Sequence, residues 1–254
     1  MLSKGFQNEF DFVLLFNRKK VKELDPVSYE LIRTLFGNIS NDLEIKSWRN
    51  HYKQKTDIFL KIGNVMKGIS IKMGSRNSVH VEHISDFIRF LEYHNIPESI
   101  INKYLLYHYA DGTNDNTGKN RLGTLEYKRQ YQNDIDEINV CFNSEKMIID
   151  SIIRFVLKGN NSRFCIDAII VGVPNDYMWI TRKDIVDVLM KKSNEYVSSP
   201  HFSSLVCQPL SRCLNYNYKY EDDRNFVQIK WYSLFDDIIR KKSNYWDFQD
   251  NNVG

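Results

Sequence analysis

The chain has only four cysteines in 254 residues, Cys141, Cys165, Cys207 and Cys213, and none belongs to a C-x-x-C pair. Their scatter argues against a zinc or dithiol motif and fits reduced thiols packed as small hydrophobes. Long apolar runs are lacking too. The stretch from Phe10 to Phe16 contains Asp11 and follows Glu9, so it is neither a signal-peptide core nor a bilayer span. A cytoplasmic protein with no membrane partner is therefore expected. Nor is there an excess of one charge: 35 Lys and Arg against 32 Asp and Glu leave a formal net charge of +3. That balance excludes a wholly basic coat but leaves room for a local basic groove. Apolar residues make up 42% and charged residues 26%, which removes any need for a fibrous or disordered class.

What remains is a chain long enough to bury one sizeable core, read as a single domain over 1–254. Phe6, Phe10, Val13, Leu14 and Val21 recur at helical spacing, which predicts a first helix with Glu9 at the edge of its buried stripe. Pro26 and Gly37 bracket a second helix ending at Phe36. From Thr56 to Met73 the period changes to two, with Ile58, Leu60 and Ile62, then Ile69, Ile71 and Met73, each on one face. Gly63-Asn64 is the natural turn of that hairpin. Small polar residues from Gly74 to Ser78 read as helix caps, and Val81, Ile84, Phe87, Ile88 and Leu91 as the buried stripe of the helix that follows.

Further along, Asp111 to Arg121 is a polar loop, and helices are expected near Leu125–Asp136, Ser144–Leu157 and Lys183–Lys192. Phe164 to Val173 is nearly continuously apolar and suits a central strand joined to the hairpin's sheet. Strand-like pieces follow near Ser204–Cys213 and Phe226–Trp231. The expected class is α/β, a mixed central sheet flanked by helices with an additional C-terminal strand-containing region. Residues 1–95 form its core, 96–160 a mainly helical insertion, and 161–254 the remaining core strand and a recognition or dimerisation region.

The hairpin carries the chemistry. With a turn of two or four residues, Asp57 lies across from Ser70 or Lys72, and either register puts all three on one face while Ile58, Ile69, Ile71 and Met73 cover the core. Glu82, read in the first turn of the next helix, brings a second carboxylate toward the same end. Hard oxygen ligands of this kind suit Mg²⁺ and phosphodiester hydrolysis, and a lysine can orient the attacking water or stabilise developing charge.

At these residues the sequence resembles the PD-(D/E)XK nuclease superfamily of restriction enzymes, whose pattern is an early Asp, then acid-x-Lys on the neighbouring strand. Thr56 stands where that family usually has Pro, and Ser70 where its second acid is expected. Some restriction enzymes of the superfamily have Ser-x-Lys and take a glutamate from the following helix, and Glu82 looks like that acid. Gly5-Phe6-Gln7-Asn8-Glu9 is similar to the Gly-x-x-x-Glu segment of the family's first helix. The matched pieces cover roughly the first third of the chain.

The resemblance implies a restriction-endonuclease-like fold and a Mg²⁺-dependent endonuclease of double-stranded DNA, of the type II restriction kind and homodimeric. Asp57 and Glu82 would hold the metal with the Ile71 carbonyl, and Ser70 and Lys72 would complete the catalytic set. Glu9 and His80 are accessory candidates, and Arg76, Asn77, Ser78, Lys119, Arg121 and Arg212 are candidates for DNA contact. Each also has a plain structural reading: Glu82 on a helix dipole, Lys72 as a solvated charge, the Arg76 loop as a cap. The alternative function is a DNA-binding protein on the same scaffold that no longer cuts, an option raised by Ser70.

Overall fold

A computed structural model describes residues 3–52, 54–74, 77–119, 121–160, 162, 164–192, 197–211 and 218–241. The elements run in chain order as α1 (Lys4–Phe16), α2 (Pro26–Phe36), β1 (Lys46–Arg49), β2 (Ile58–Ile62), β3 (Val65–Lys72) and β4 (Ser78–His83). Then come α3 (Ile84–Tyr93), α4 (Glu98–Tyr109), α5 (Thr124–Phe142) and α6 (Glu145–Ser151), which continues as a π-helix over Ile152–Lys158. The chain goes on through β5 (Ala168–Val173), β6 (Asp176–Thr181), α7 (Arg182–Lys191), β7 (His201–Phe202), β8 (Leu205–Pro209) and β9 (Phe226–Trp231). No helix among the described residues is long and apolar enough to cross a membrane.

The contacts cluster into two compact units. The first takes its described residues from 1–77, 153–187 and 234–254, and the second from 78–152 and 188–233. The stretches 1–95, 96–160 and 161–254, expected as successive parts of one domain, are thus interleaved between the units.

The first unit holds a five-stranded sheet in the order β1-β2-β3-β5-β6. Neighbouring strands are antiparallel except β3 and β5, which run parallel. This is the mixed central sheet expected from the sequence. Gly63 supplies the positive φ (57°) of a two-residue turn closed by the Ile62–Val65 pair. Ile58, Leu60, Ile62 and Ile69 are buried in one cluster with Phe12, Val13 and Phe16 of α1 and Leu31 and Ile32 of α2. Side chains of this size each contribute about 1.5–3 kcal/mol on burial. A one-residue slip in β2 would expose three of them, a loss comparable with the roughly 5–15 kcal/mol that holds a domain together. The hairpin register is fixed by this term.

The helix ends follow local rules. Asp25 accepts hydrogen bonds from the Val27 and Ser28 amides, Pro26 occupies the first turn, and Gly37 ends α2 at φ 74°. The buried face of α1 shares only Val13 with the expected stripe. Phe6, Phe10 and Leu14 are exposed, and α1 packs through Phe12, Val13 and Phe16, with Asn8 donating to the Gly172 carbonyl (2.9 Å). Both sets have helical spacing, so the sequence offers two apolar stripes and packing on the sheet selects one.

The second unit holds a four-stranded antiparallel sheet in the order β4-β9-β8-β7. Here the sequence expectation of a helix beginning after the Gly74–Ser78 caps, with Val81 in its buried stripe, does not hold. The segment Ser78–His83 is a strand paired with β9, the helix begins only at Ile84, and Val81 is exposed rather than buried. Its Val79-His80-Val81 run alternates and carries β-branched residues, and pairing with a partner far along the chain outweighs the capping signals. His83 itself caps α3, its ring nitrogen accepting from the Ser85 amide.

Gly172 lies in β5 at φ 128°, one pair back from the Val173–Asp176 pair that closes the β5–β6 hairpin, and a Cβ there would lie 2.2 Å from the Asp176 carbonyl oxygen and 2.8 Å from the Tyr177 Cα. Both obstacles are backbone. Gly172→Ala should therefore cost at least about 2 kcal/mol, read as a lower urea midpoint, whereas an unchanged midpoint would show that the β5–β6 pairing relaxes freely.

Candidate active site

The site in the first unit starts from register. Ile58 pairs with Ile69, and the same register carried back one residue sets Asp57 beside Ser70. Of the two sequence alternatives, the structure selects Ser70. Asp57 is held through its backbone on both sides, its amide donating to the Ile69 carbonyl (2.9 Å) and its carbonyl accepting from the Asn50 amide (2.8 Å). Ser70 and Lys72 pair with Ile169 and Val171 of β5, so they lie on the sheet face opposite the Ile58–Ile69 core row.

One carboxylate oxygen of Asp57, Oδ2, accepts from the Ile71 amide at 2.6 Å and from the Ser70 hydroxyl at 3.1 Å. The Ser70 side chain is buried, so at the position where an acid was expected a hydroxyl orients the remaining carboxylate. The bond to the Ile71 amide also ties that peptide unit to the carboxylate. Oδ1 accepts no hydrogen bond from the described residues.

Burial pushes the Asp57 carboxyl above its usual range, against the pull of Lys72 and the two hydrogen bonds, and Glu9 adds to the rise through its charge. Burial likewise lowers the Lys72 ammonium, and Asp57 opposes that shift. Between apolar neighbours such as Ile169 and Val171, each ion is disfavoured by desolvation and sustained by the other. Perturbed acid–base pairs of this kind concentrate at functional sites.

Glu9 reaches the same neighbourhood from α1. Its Oε2 accepts from Nε and Nη2 of Arg49 on β1 at 2.9 and 2.8 Å, and the Arg49 guanidinium stacks 3.4 Å from the Phe6 ring centre. The sequence did not single out Arg49 or Lys55. Lys55 donates from Nζ to the Phe155 carbonyl of the π-helix at 2.6 Å and lies within electrostatic reach of both Asp57 and Lys72. Burial and the neighbouring Lys72 charge hold its ammonium well below the ordinary lysine range. A lysine two positions before the acid was the only sequence signal for it. Gly68 is required next to the site, because a Cβ there would meet the Thr56 hydroxyl at 2.8 Å.

Of the other sequence candidates among the described residues, Ser78, His80, Glu82, Lys119 and Arg121 belong to the second unit and Asn77 to the first. Glu82 belongs to the second unit, on β4 rather than in a helix, buried and 3.3 Å from His80 Nε2. Ser78, also on β4, accepts from Gln228 Nε2 at 3.1 Å, and Asn77 immediately precedes the strand. Arg121 is committed to the His108 carbonyl at 2.6 Å, and Lys119 is exposed. Arg76 and Arg212 lie outside the described residues. Among the described residues no group of three or more His, Cys, Asp and Glu side chains is placed to hold a metal ion.

No protein-family model matches the chain, and no curated protein matches it. The fold is similar to the crystal structure of restriction endonuclease MspI in complex with its cognate DNA, with a TM-score of 0.48 and 12% identity over 87% of each chain.

A carboxyl whose folded pKa lies above its ordinary 3.8 holds its proton more tightly folded than unfolded. The charge on Asp57 therefore costs stability above the raised value, and that cost vanishes below 3.8, where both states are protonated. Asp57→Asn should be more stable than the wild type at neutral pH, with the advantage fading as the pH falls through that window. Paired denaturation curves at several pH values test this, and a loss of stability at neutral pH would show that the carboxylate serves the fold.

Proposed function

We propose that the chain is a Mg²⁺-dependent endonuclease that hydrolyses phosphodiester bonds of double-stranded DNA in the manner of a type II restriction enzyme. One observation carries the reading: Asp57 and Lys72, both desolvated, converge on the sheet face opposite the core, with Ser70 and the Ile71 amide orienting the acid. A structural ion pair has no need of a free carboxylate oxygen, whereas a ligand site does.

The donor set fits magnesium. This ion takes oxygen ligands, keeps several waters, and is commonly held by one or two carboxylates together with substrate phosphates. Asp57 Oδ1 and the Ile71 carbonyl would hold it, and the reading draws on the first unit's groups alone. When bound, the ion neutralises charge on the phosphate under attack. Lys72 orients the attacking water and donates to the phosphate oxygen that gains charge. Burial lowers the proton affinity of Lys72, which favours proton transfer with that water. Arg49 holds Glu9 at a fixed position beside the acid and so positions rather than reacts.

Cutting both strands of a symmetric site favours two active sites related by a two-fold axis, so we propose a homodimer as the working form. Ser70 in place of an acid supports a second reading, a DNA-binding protein that does not cut. Supercoiled plasmid incubated with Mg²⁺ separates the two. The wild type should nick or linearise it, Asp57→Ala and Lys72→Ala should each be slower by on the order of 10²–10³-fold, and removing the metal with EDTA should stop the reaction. Intact plasmid bound by wild-type protein would favour the binding reading, and equal cutting by all three proteins would remove the proposed site.

A further inference from the structure

The second unit has a sheet with two unlike faces. Val227, Ile229, Trp231, Leu205 and Cys207 are fully buried on one of them, where Phe202 stacks on Phe142 (ring centres 4.5 Å apart) and packs against Phe87 (6.2 Å). The alternate residues form the opposite face, and three cross-strand rows can be read from the register. Val206 and Ser78 flank Lys230, Gln208 and Val81 flank Gln228, and His83 lies beside Phe226 with rings edge to face at 5.5 Å.

That face is not an ordinary solvated one. Val81 is 44% exposed and His83 is exposed at the same edge, so apolar surface reaches solvent there. None of these positions carries a carboxylate, in a chain with 32 of them, and one carries a lysine. Across the three strands runs a line of side-chain bonds, Gln208 Nε2 to Gln228 Oε1 at 3.3 Å and Gln228 Nε2 to Ser78 Oγ at 3.1 Å. These bonds hold both amides in defined orientations and leave each amide nitrogen a second N–H for a partner.

We infer that this face reads base edges of double-stranded DNA through Gln208 and Gln228, with Lys230 beside them; the inference rests on the nuclease reading and assigns its sequence discrimination. Gln208 and Gln228 lie on the adjacent strands β8 and β9 of a four-stranded sheet; sheet faces as well as ribbons read DNA grooves, and in the major groove a glutamine amide matches the donor and acceptor on adenine and a lysine matches guanine. The face carries one cation, Lys230, and no carboxylate to repel phosphates, and its exposed Val81 is suited to a thymine methyl. Held amides supply discrimination at low cost, because the orientation is set before DNA arrives.

The test uses full-length protein in Ca²⁺, which permits binding without cutting, and a random-sequence duplex library whose bound fraction is sequenced. Wild type should enrich a motif containing A·T pairs. Gln228→Ala and Gln208→Ala should lose preference for adenine at one position each, by about fivefold to a hundredfold, while affinity for unselected duplex changes little. Lys72→Ala should enrich the wild-type motif, which separates this inference from failure of the catalytic site. If the wild type selects a motif that both glutamine variants select equally, or if no duplex is bound, the assignment is overturned. Circular dichroism of each variant excludes unfolding as the cause of a loss.

Discussion

Everything at the candidate site depends on the pairing of β2 with β3. That register is set by hydrophobic burial on one face, and its consequence appears on the other. Because side chains alternate, fixing Ile58 and Ile69 in the core turns Asp57, Ser70 and Lys72 away from it together. The geometry of the candidate site therefore needs no separate source of order. The Ser70 and Ile71 bonds to Asp57 then refine it, since hydrogen bonds to a charged acceptor are worth about 1.5–3 kcal/mol each and leave the carboxylate little rotational freedom.

The same arrangement is costly. Asp57, Lys72 and Lys55 all have their charged forms disfavoured by burial, and the favourable attraction between the acid and the lysines only partly offsets that. Replacing such ions with well-packed apolar residues often leaves a protein no less stable. A chain that retains three of them around one strand end gives up stability there, a cost the proposed metal and phosphate chemistry would account for. Around the cluster the fold is tied down: Lys55 grips the π-helix at Phe155, and Asp167, just ahead of β5, accepts from the Gly68 amide at 2.9 Å and pairs with Lys67 and Arg182.

How much of this was legible in the sequence follows the range of the interactions. The Gly63-Asn64 hairpin, the Asp25 and Gly37 caps of α2, and the shared face of Asp57 with Ser70 and Lys72 come from local rules and were readable. The strand at Ser78–His83 was not, because its partner β9 lies far along the chain and the polar residues before it are good helix caps. Placing Glu82 on a helix followed from the same error. On α1 the periodicity was right and the buried face wrong, since two stripes compete and only packing on the sheet decides. Arg49 and Lys55 were missed because neither belongs to a pattern; each acquires its role from a partner across the fold, Glu9 for one and the Phe155 carbonyl for the other.

The two sheets also divide the chain's polar chemistry by type. On the outward side of the β2–β3 pairing two ions, Asp57 just ahead of β2 and Lys72 at the end of β3, have proton affinities altered by desolvation. On β8 and β9 the outward residues centre on amides, which cannot titrate and which carry a donor and an acceptor at fixed spacing. Ions in the second position would bind a phosphate backbone without distinguishing sequence, and amides in the first would neither hold a divalent ion strongly nor move a proton. The alternation that buries each sheet's apolar row thus delivers a different chemistry to each opposite face, from the same geometric rule.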